Sequence, residues 1–308
     1  MTWGSAQVPS PPYTHPRIAL LDVLLQQLLN GVVLGSTYSL VALGLTLVFG
    51  VLLIPNFAHG EFYMLGALFT YQLTSIDVSF WLAVPAAIVI VIAIGILLDL
   101  LVFRPLDRDS GLTLMIAALA SAIILQQVAA LGWGHEPRTT EPPFSGILQL
   151  GWVTIGYYQI LLIFFMLCCW VGLTVLLKRT RTGLAIRAVA ENRDAAQLMG
   201  INLLHVRIVT FTIGAALGAA AGGLLSANFP VYPEMGTNPV LKAFVILVLG
   251  GIGNIWGAIF GGLFLGATEV LIAGYIRSDF QDIGAFLILV LVLLIRPSGL
   301  FGAKEIER

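Results

Sequence analysis

Runs of about twenty apolar residues recur along this chain, and they restrict its fold more than any other feature. A helical run of about twenty residues is long enough to cross the hydrocarbon core of a bilayer. Because that core holds no water, the backbone polar groups of each run must be satisfied internally, as they are in a helix. A β-barrel would instead show short segments of alternating polarity, and the sequence lacks them. The chain is therefore predicted to be an all-α, polytopic integral membrane protein.

Composition supports this class. Charged residues make up 10% of the chain and hydrophobic residues 58%, whereas soluble domains are about 25% charged. The 33 glycines are typical of closely packed membrane helices. A soluble globular fold is therefore excluded.

The apolar runs predict about nine transmembrane helices. The second and seventh runs are short, and only a glycine-rich turn separates the seventh from the eighth. The predicted spans are residues 28–53, 61–76, 80–102, 112–133, 153–177, 206–228, 239–253, 255–275 and 281–296.

Three parts of the chain follow from these spans. Residues 1–20 are proline-rich and are predicted to be a disordered extracytoplasmic tail. Residues 21–302 form the transmembrane domain, which includes a polar cytoplasmic loop at 178–205. Residues 303–308 form a cytoplasmic tail.

The distribution of Lys and Arg predicts the orientation. With the loop at 178–205 placed inside, eleven basic residues are cytoplasmic and four are external. Cytoplasmic segments carry an excess of Lys and Arg, so the N-terminus is predicted outside and the C-terminus inside, as an odd number of spans requires.

The polar interruption from Lys178 to Arg207 holds six of the fifteen basic residues. Its middle reads GLAIRAVAENRDAAQLMGIN, which has the composition of a helix and ends near Gly200. An ordered loop of this length exceeds what a connection between two spans requires. It favours a segment that a cytoplasmic partner holds.

Within this loop, residues 187–200 are predicted to form one short helix. Ala195, Leu198 and Met199 make a small apolar patch suited to a partner's groove, with Ala196 beside it. Glu191 and Asp194 would orient the docking. The alternative is a plain connector, in which Arg187 and Glu191 form only an exposed helix pair.

Two interruptions divide apolar sequence in the two halves of the chain. The first contains Asn56 and Gly60, and the second contains Gly250, Gly251, Gly253 and Asn254. Paired interruptions in corresponding halves indicate a transport path, because unwound backbone must face water, substrate or protein. They also suggest a parallel internal repeat with broken segments near 55–61 and 250–254.

Four polar residues at membrane depth have two interpretations each. Asn56 and Glu61 either line the path or cap and complement the start of the second span. His59 either lines a gate or makes a local hydrogen bond. Glu269 lies in the middle of the eighth span, where an acid either faces a water-filled path or is protonated and hydrogen-bonded to a neighbouring helix. Asp99 and Lys242 are explained by side chains that reach toward the membrane surface.

Several motifs together resemble the branched-chain (hydrophobic) amino acid permeases of ABC transporters. They are LLQQLLNGVVLGSTYSLVALGLTLVFG, NFAHGEFYMLGA, RAVAENRDAAQLMGIN, VLGGIGNIWGAIFGG and RPSGLFG, and they extend over nearly the whole chain. Asp194 to Gly200 is similar to the EAA loop of bacterial ABC importers, with Asp in place of Glu. The proline-rich N-terminal extension departs from the family pattern.

The resemblance implies a permease subunit that carries branched-chain or hydrophobic amino acids across a bacterial inner membrane. Its implied partners are a homologous second permease subunit, two cytoplasmic ATP-binding subunits, a periplasmic substrate-binding protein and membrane lipids. The chain has no phosphate-binding GxxxxGK[ST] motif, so ATP would be used by the partner. No cofactor, metal, nucleic acid or catalytic residue is predicted.

Other functions remain open in the sequence. The same superfamily includes permeases for urea, amides, nucleosides and sugars. A secondary transporter or channel would require coupling charges beyond His59 and Glu269. An intramembrane enzyme is disfavoured, because the four histidines are scattered and no HExxH or GxSxG motif occurs.

Overall fold

A computed structural model describes residues 16–52, 56–106, 110–150, 153–296 and 299–300. It confirms a predominantly helical chain. The helices are α1 (Pro16–Leu52), α2 (His59–Thr74), α3 (Phe80–Leu98, followed by a π-helical turn at Asp99–Phe103), α4 (Gly111–Trp133), α5 (Tyr157–Arg179), α6 (Arg181–Glu191), α7 (Arg193–Leu198), α8 (Leu203–Leu225), α9 (Thr237–Gly250), α10 (Ile255–Tyr275) and α11 (Gln281–Ile295, preceded by a 3₁₀ turn at Ser278–Phe280).

Every predicted span corresponds to a helix. Seven helices are long and apolar enough to cross a membrane. The other two, α2 and α9, have 16 and 14 residues, in agreement with the predicted shortness of the second and seventh spans. The chain is thus a polytopic membrane protein whose described residues include seven full-length spans, with the short helices α2 and α9 at the second and seventh predicted spans.

One hairpin was missed by the all-α prediction. Strands β1 (Ile147–Leu150) and β2 (Val153–Gly156) pair antiparallel between α4 and α5. The Gln26 side chain on α1 donates a hydrogen bond to the carbonyl of Thr154 on β2. The hairpin is therefore anchored to the first helix.

The two ends of the bundle can be named by what they carry. The hairpin end holds β1 and β2, and the loop end holds α6 and α7, at opposite ends of α5. Helix α1 begins at Pro16, inside the tail predicted for residues 1–20. The first fifteen residues and the predicted tail at 303–308 lie outside the described residues.

Small residues allow the central helices to approach closely. A Cβ atom on Gly35 of α1 would lie 2.7 Å from the Gly262 carbonyl oxygen of α10. A Cβ atom on Gly66 of α2 would lie 2.3 Å from the Ala219 carbonyl oxygen of α8. Membrane helices associate mainly through such packing, so these glycines fix α1 against α10 and α2 against α8.

Candidate functional site

The first interruption begins at a fully buried asparagine. Neither amide atom of Asn56 has a hydrogen-bond partner. The N-cap residue of α2 is Ala58, with no side-chain cap. The interpretation of Asn56 as a helix cap is therefore wrong, because only its backbone carbonyl engages the helix start, by accepting from the His59 N–H at 3.1 Å.

His59 begins α2 deep inside the bundle. Its Nε2 atom lies 3.2 Å from the carbonyl oxygen of Val41 on α1, and its Nδ1 atom has no partner. Helix α1 continues from Val41 for eleven more residues to Leu52, or about 16 Å at the helical rise. The chain therefore turns back into the bundle before α2 starts.

Gly60 and Glu61 contact α9 and α4, whereas His59 contacts α1. A Cβ atom on Gly60 would lie 2.4 Å from the Gly236 carbonyl oxygen at the start of α9. Glu61 is buried in the first turn of α2, as predicted, and its Oε1 atom accepts a hydrogen bond from Gln126 of α4 at 2.8 Å. Gln126 also donates to Thr237 of α9. This site therefore joins α2, α4 and α9.

The second interruption is a tight turn between α9 and α10. Gly251 and Gly253 have φ values of 86° and 76°, which glycine adopts without steric cost. The Asn254 side chain accepts from the Gly257 N–H and caps α10. The Leu300 N–H donates to the Leu249 carbonyl at 2.7 Å and so satisfies one of the last carbonyls of α9.

The two interruptions lie at opposite ends of α9. Gly60 packs at its start, and Gly250 packs against Gly257 at its end. Since α9 has 14 residues, about 21 Å of helix separates them. The second turn also meets the end of α1, where a Cβ atom on Gly50 would lie 2.6 Å from the Gly253 Cα. The two turns thus occupy different depths of the bundle.

Glu269 is paired rather than isolated. Its Oε2 atom accepts hydrogen bonds from Lys242 of α9 at 2.7 Å and from the Tyr38 hydroxyl of α1 at 2.9 Å. Lys242 also contacts Asp282 of α11 at 2.9 Å. The explanation of Lys242 as a side chain reaching the membrane surface is therefore wrong. The sequence contained a signal for this pair, because it places a lysine and a glutamate in neighbouring membrane helices. Burying either charge alone in a membrane is costly, so the two are expected to pair.

A cavity of about 230 Å³ lies beside this cluster at the hairpin end. Tyr38, Lys242 and Asp282 line one part of it, and Val41 and Tyr63 line another. Val41 is the residue whose carbonyl contacts His59. The fold therefore brings His59 and Glu269, which are 210 positions apart in sequence, directly behind the wall of one cavity.

The polar segment at the loop end forms two helices instead of the single predicted one. Helix α6 ends at Glu191 and α7 begins at Arg193. Asn192 has an extended backbone, and its side chain accepts from the Ala195 N–H. Asparagine is a preferred N-cap residue because it satisfies a free donor of the first turn, and here it starts a new helix inside the segment.

Helix α7 presents an apolar tip. Leu198 and Met199 are 88% and 83% exposed, whereas Ala196 is buried against the rest of the chain. The placement of Ala196 at a partner contact is therefore wrong. Gly200 has a φ of 83°, and the N–H groups of Gly200 and Ile201 donate to Gln197 and Ala196. This Schellman ending turns the chain back toward α8.

A buried ion pair near the loop end was also missed. Arg207 Nε donates to Asp99 Oδ1 at 2.7 Å, and both side chains are almost fully buried. Asp99 is buried in this pair, so its interpretation as a side chain reaching the membrane surface is wrong. Arg207 lies in α8, inside the span predicted for residues 206–228. The pair ties the end of α3 to the start of α8.

Metal ligation finds no support in the parts of the chain that the structure describes. Within those ranges, no group of three or more His, Cys, Asp or Glu residues could hold a metal ion.

Comparisons with known proteins identify the family. Residues 27–295 match the family model described as "Branched-chain amino acid transport system / permease component". The high-affinity branched-chain amino acid transport system permease protein LivH of Salmonella typhimurium is 38% identical over 300 residues, covering 92% of this chain and 97% of the relative. BraD of Pseudomonas aeruginosa, described in the same words, is 38% identical over 299 residues with the same coverage.

Other matches are weaker. The autoinducer 2 import system permease protein LsrC of Escherichia coli is 33% identical over 158 residues, or 49% of this chain and 44% of the relative. No solved structure matches the chain. Because the family model and the LivH and BraD relatives extend over nearly the whole sequence, this chain belongs to the branched-chain amino acid transport permease family.

Proposed function

We propose that this chain is the transmembrane permease subunit of an ATP-driven importer that moves branched-chain or other hydrophobic amino acids across a bacterial inner membrane. The observation that carries the proposal is 38% identity over 92% of the chain to permeases described as branched-chain amino acid transporters. The match includes both interruptions and the α6–α7 segment, which lie within residues 27–295.

The proposed complex has four other components. A homologous second permease subunit completes the membrane domain, and two ATP-binding subunits supply hydrolysis. A periplasmic binding protein delivers the amino acid. The orientation follows the basic residues, with the loop end cytoplasmic and the hairpin end periplasmic. The cavity beside Lys242 then opens toward the binding protein.

We assign the stretch from Arg187 on α6 to Gly200, just after α7, to ATPase coupling. Leu198 and Met199 form an apolar tip that is exposed to solvent. Exposed apolar patches mark protein–protein contact sites, so this tip favours a partner on the cytoplasmic side. Ala195 lies beside them on the exposed side of α7, and Glu191 and Asp194 are exposed near its start. The buried Ala196 anchors α7 to the bundle, so a force on the tip is transmitted to the start of α8.

The coupling test uses the purified complex. Leu198→Asp places a charge where the proposal puts an apolar contact, so retention of the ATP-binding subunits should fall at least tenfold, an estimate of about 1.4 kcal/mol or more for a buried unpaired charge. Leu184→Asp is the matched control, because Leu184 is also exposed but lies on α6. Full retention with Leu198→Asp would make the segment a connector.

The transport test defines the substrate class. Proteoliposomes that hold the whole complex should accumulate leucine only with ATP and the binding protein. A permease for another small neutral solute is the alternative, and the partial match to an autoinducer 2 permease favours testing it. Absence of leucine uptake from a complex that hydrolyses ATP would reject the amino-acid assignment.

The predicted path residues divide into two levels in this scheme. His59 and Glu269 lie behind the periplasmic cavity. Gly250, Gly251, Gly253 and Asn254 lie near the cytoplasmic end. Gly60 contacts α9 so closely that Gly60→Val would disturb helix packing first, and loss of transport in that variant would not identify a path residue.

A further inference from the structure

The charged cluster beside the cavity has one more acidic residue than basic residues. Lys242 stands between Glu269 at 2.7 Å and Asp282 at 2.9 Å. Glu269 is buried, whereas Asp282 lies at the rim with 53% of its side chain exposed. With all three groups ionised, the cluster carries a net charge of −1.

Lys242 has no free donor to offer a ligand. An ammonium group has three donors, and those of Lys242 are directed to Glu269, Asp282 and the Tyr38 hydroxyl, the last at 3.1 Å. An acceptor, by contrast, remains available at Asp282, whose half-exposed side chain lines the cavity and has a second carboxylate oxygen. Glu269 is buried behind the cavity wall and does not face a ligand directly. The cluster is therefore suited to a cationic donor and unsuited to an anion.

The rest of the cavity has both apolar and polar walls, the polar part including Thr37, Asn238 and Gln281. Leu34, Val41, Leu225 and Met235 line the apolar part together with the ring of Tyr63. Its volume of about 230 Å³ lies below the ~300–1,000 Å³ of pockets for drug-sized ligands. A small amino acid fits this lining, with its ammonium group at the charged cluster, its short apolar side chain on the apolar wall, and its carboxylate facing the neutral hydrogen-bond donors of Thr37, Asn238 or Gln281.

We propose that the cavity is a transit subsite that holds the α-ammonium group of a hydrophobic amino acid at Asp282, with the apolar side chain against Leu34, Val41 and Met235. This inference rests on the proposed import function and adds the chemical group that the permease itself recognises. Lys242 acts as a positioning residue that keeps Glu269 and Asp282 together. The permease would then transport solutes that carry a primary ammonium group in preference to neutral solutes of similar size.

The test compares three variants in proteoliposomes that hold the whole complex and the leucine-loaded binding protein. Asp282→Asn removes the surplus charge at a half-exposed site, where misfolding is not expected. It should lower leucine uptake per ATP hydrolysed about tenfold, the loss of one charge-assisted hydrogen bond. Asp282→Glu keeps the charge and should retain at least half of the wild-type ratio.

Asp279→Asn is the matched control. Asp279 lies three residues before Asp282, is exposed and pairs with Arg277, so its substitution removes the same charge from the same end of the bundle. Uptake by this variant should equal that of the wild type. An unchanged ratio in Asp282→Asn, an equal loss in Asp279→Asn, or an equal loss in Asp282→Glu would each overturn the subsite. Failure of the import function itself would appear separately, as absence of leucine uptake in the wild type.

Discussion

Removing one partner of the Asp99–Arg207 pair should destabilise the protein strongly. The two side chains meet at 2.7 Å with 0% and 6% exposure. Arg207→Met removes the positive charge that lies 2.7 Å from the buried Asp99 carboxylate. Breaking a buried ion pair in this way costs about 3–5 kcal/mol. Asp99→Asn should have a similar cost, because it leaves the guanidinium buried.

The double variant separates the ion pair from general packing. Asp99→Asn with Arg207→Met removes both charges, and a buried pair replaced by neutral groups is often nearly neutral in stability. We expect the double variant to lie within about 2 kcal/mol of the wild type, so the interaction energy from the cycle would be several kcal/mol. The measurement is the free energy of unfolding in mixed detergent micelles with increasing SDS.

Additive effects would refute this reasoning. If the double variant were destabilised by the sum of the two single losses, the cost would come from lost packing at the two sites and not from an uncompensated charge. Gly172→Ala serves as a control for the assay, because a Cβ atom there would meet no neighbouring atom.

Three further predictions concern orientation, packing and the first interruption. In a chain without its two native cysteines, a cysteine at Glu136 should react with an impermeant thiol reagent from outside and one at Arg193 should not; the reverse pattern would invert the topology. Gly222→Ala should sharply lower the yield of folded protein, since its Cβ would lie 1.8 Å from a backbone oxygen of α2, whereas Gly172→Ala should not. Asn56→Leu should leave the free energy of unfolding unchanged or raise it by about 1–3 kcal/mol, because both amide atoms are buried without partners. Lower uptake by this stable variant would show that Asn56 serves transport, whereas a loss of stability would give Asn56 a structural role.

The sequence alone predicted the helices well, because a bilayer imposes length and polarity on each one separately. Nine apolar runs became nine helices, and the two short ones were identified by their length. The hairpin at 147–156 was missed, since its strands are only four residues each. The second strand, Val153–Gly156, was included in the span predicted for residues 153–177, because a short strand at the start of an apolar run cannot be distinguished from helix by periodicity.

Local chemistry also identified the loop-end segment. The composition of residues 183–202 predicted helix, and Gly200 marks its end as expected. The break at Asn192 was missed because asparagine inside a helical pattern is only mildly unfavourable. Which face of α7 is buried was decided by packing, which hides Ala196 and leaves Leu198 and Met199 outside.

Only the tertiary structure decided the partners of the buried charges. Lys242 meets Glu269 across 27 positions and Arg207 meets Asp99 across 108. Each charge could be recognised as costly from its apolar surroundings, but its partner depends on which helices the glycine contacts bring together and on how each helix is rotated. A rotation of α9 by one residue, about 100°, would turn Lys242 away from Glu269 and leave the sequence pattern unchanged. The cavity with its surplus carboxylate is therefore a property of the packed bundle, whereas the spans that build it follow from the sequence.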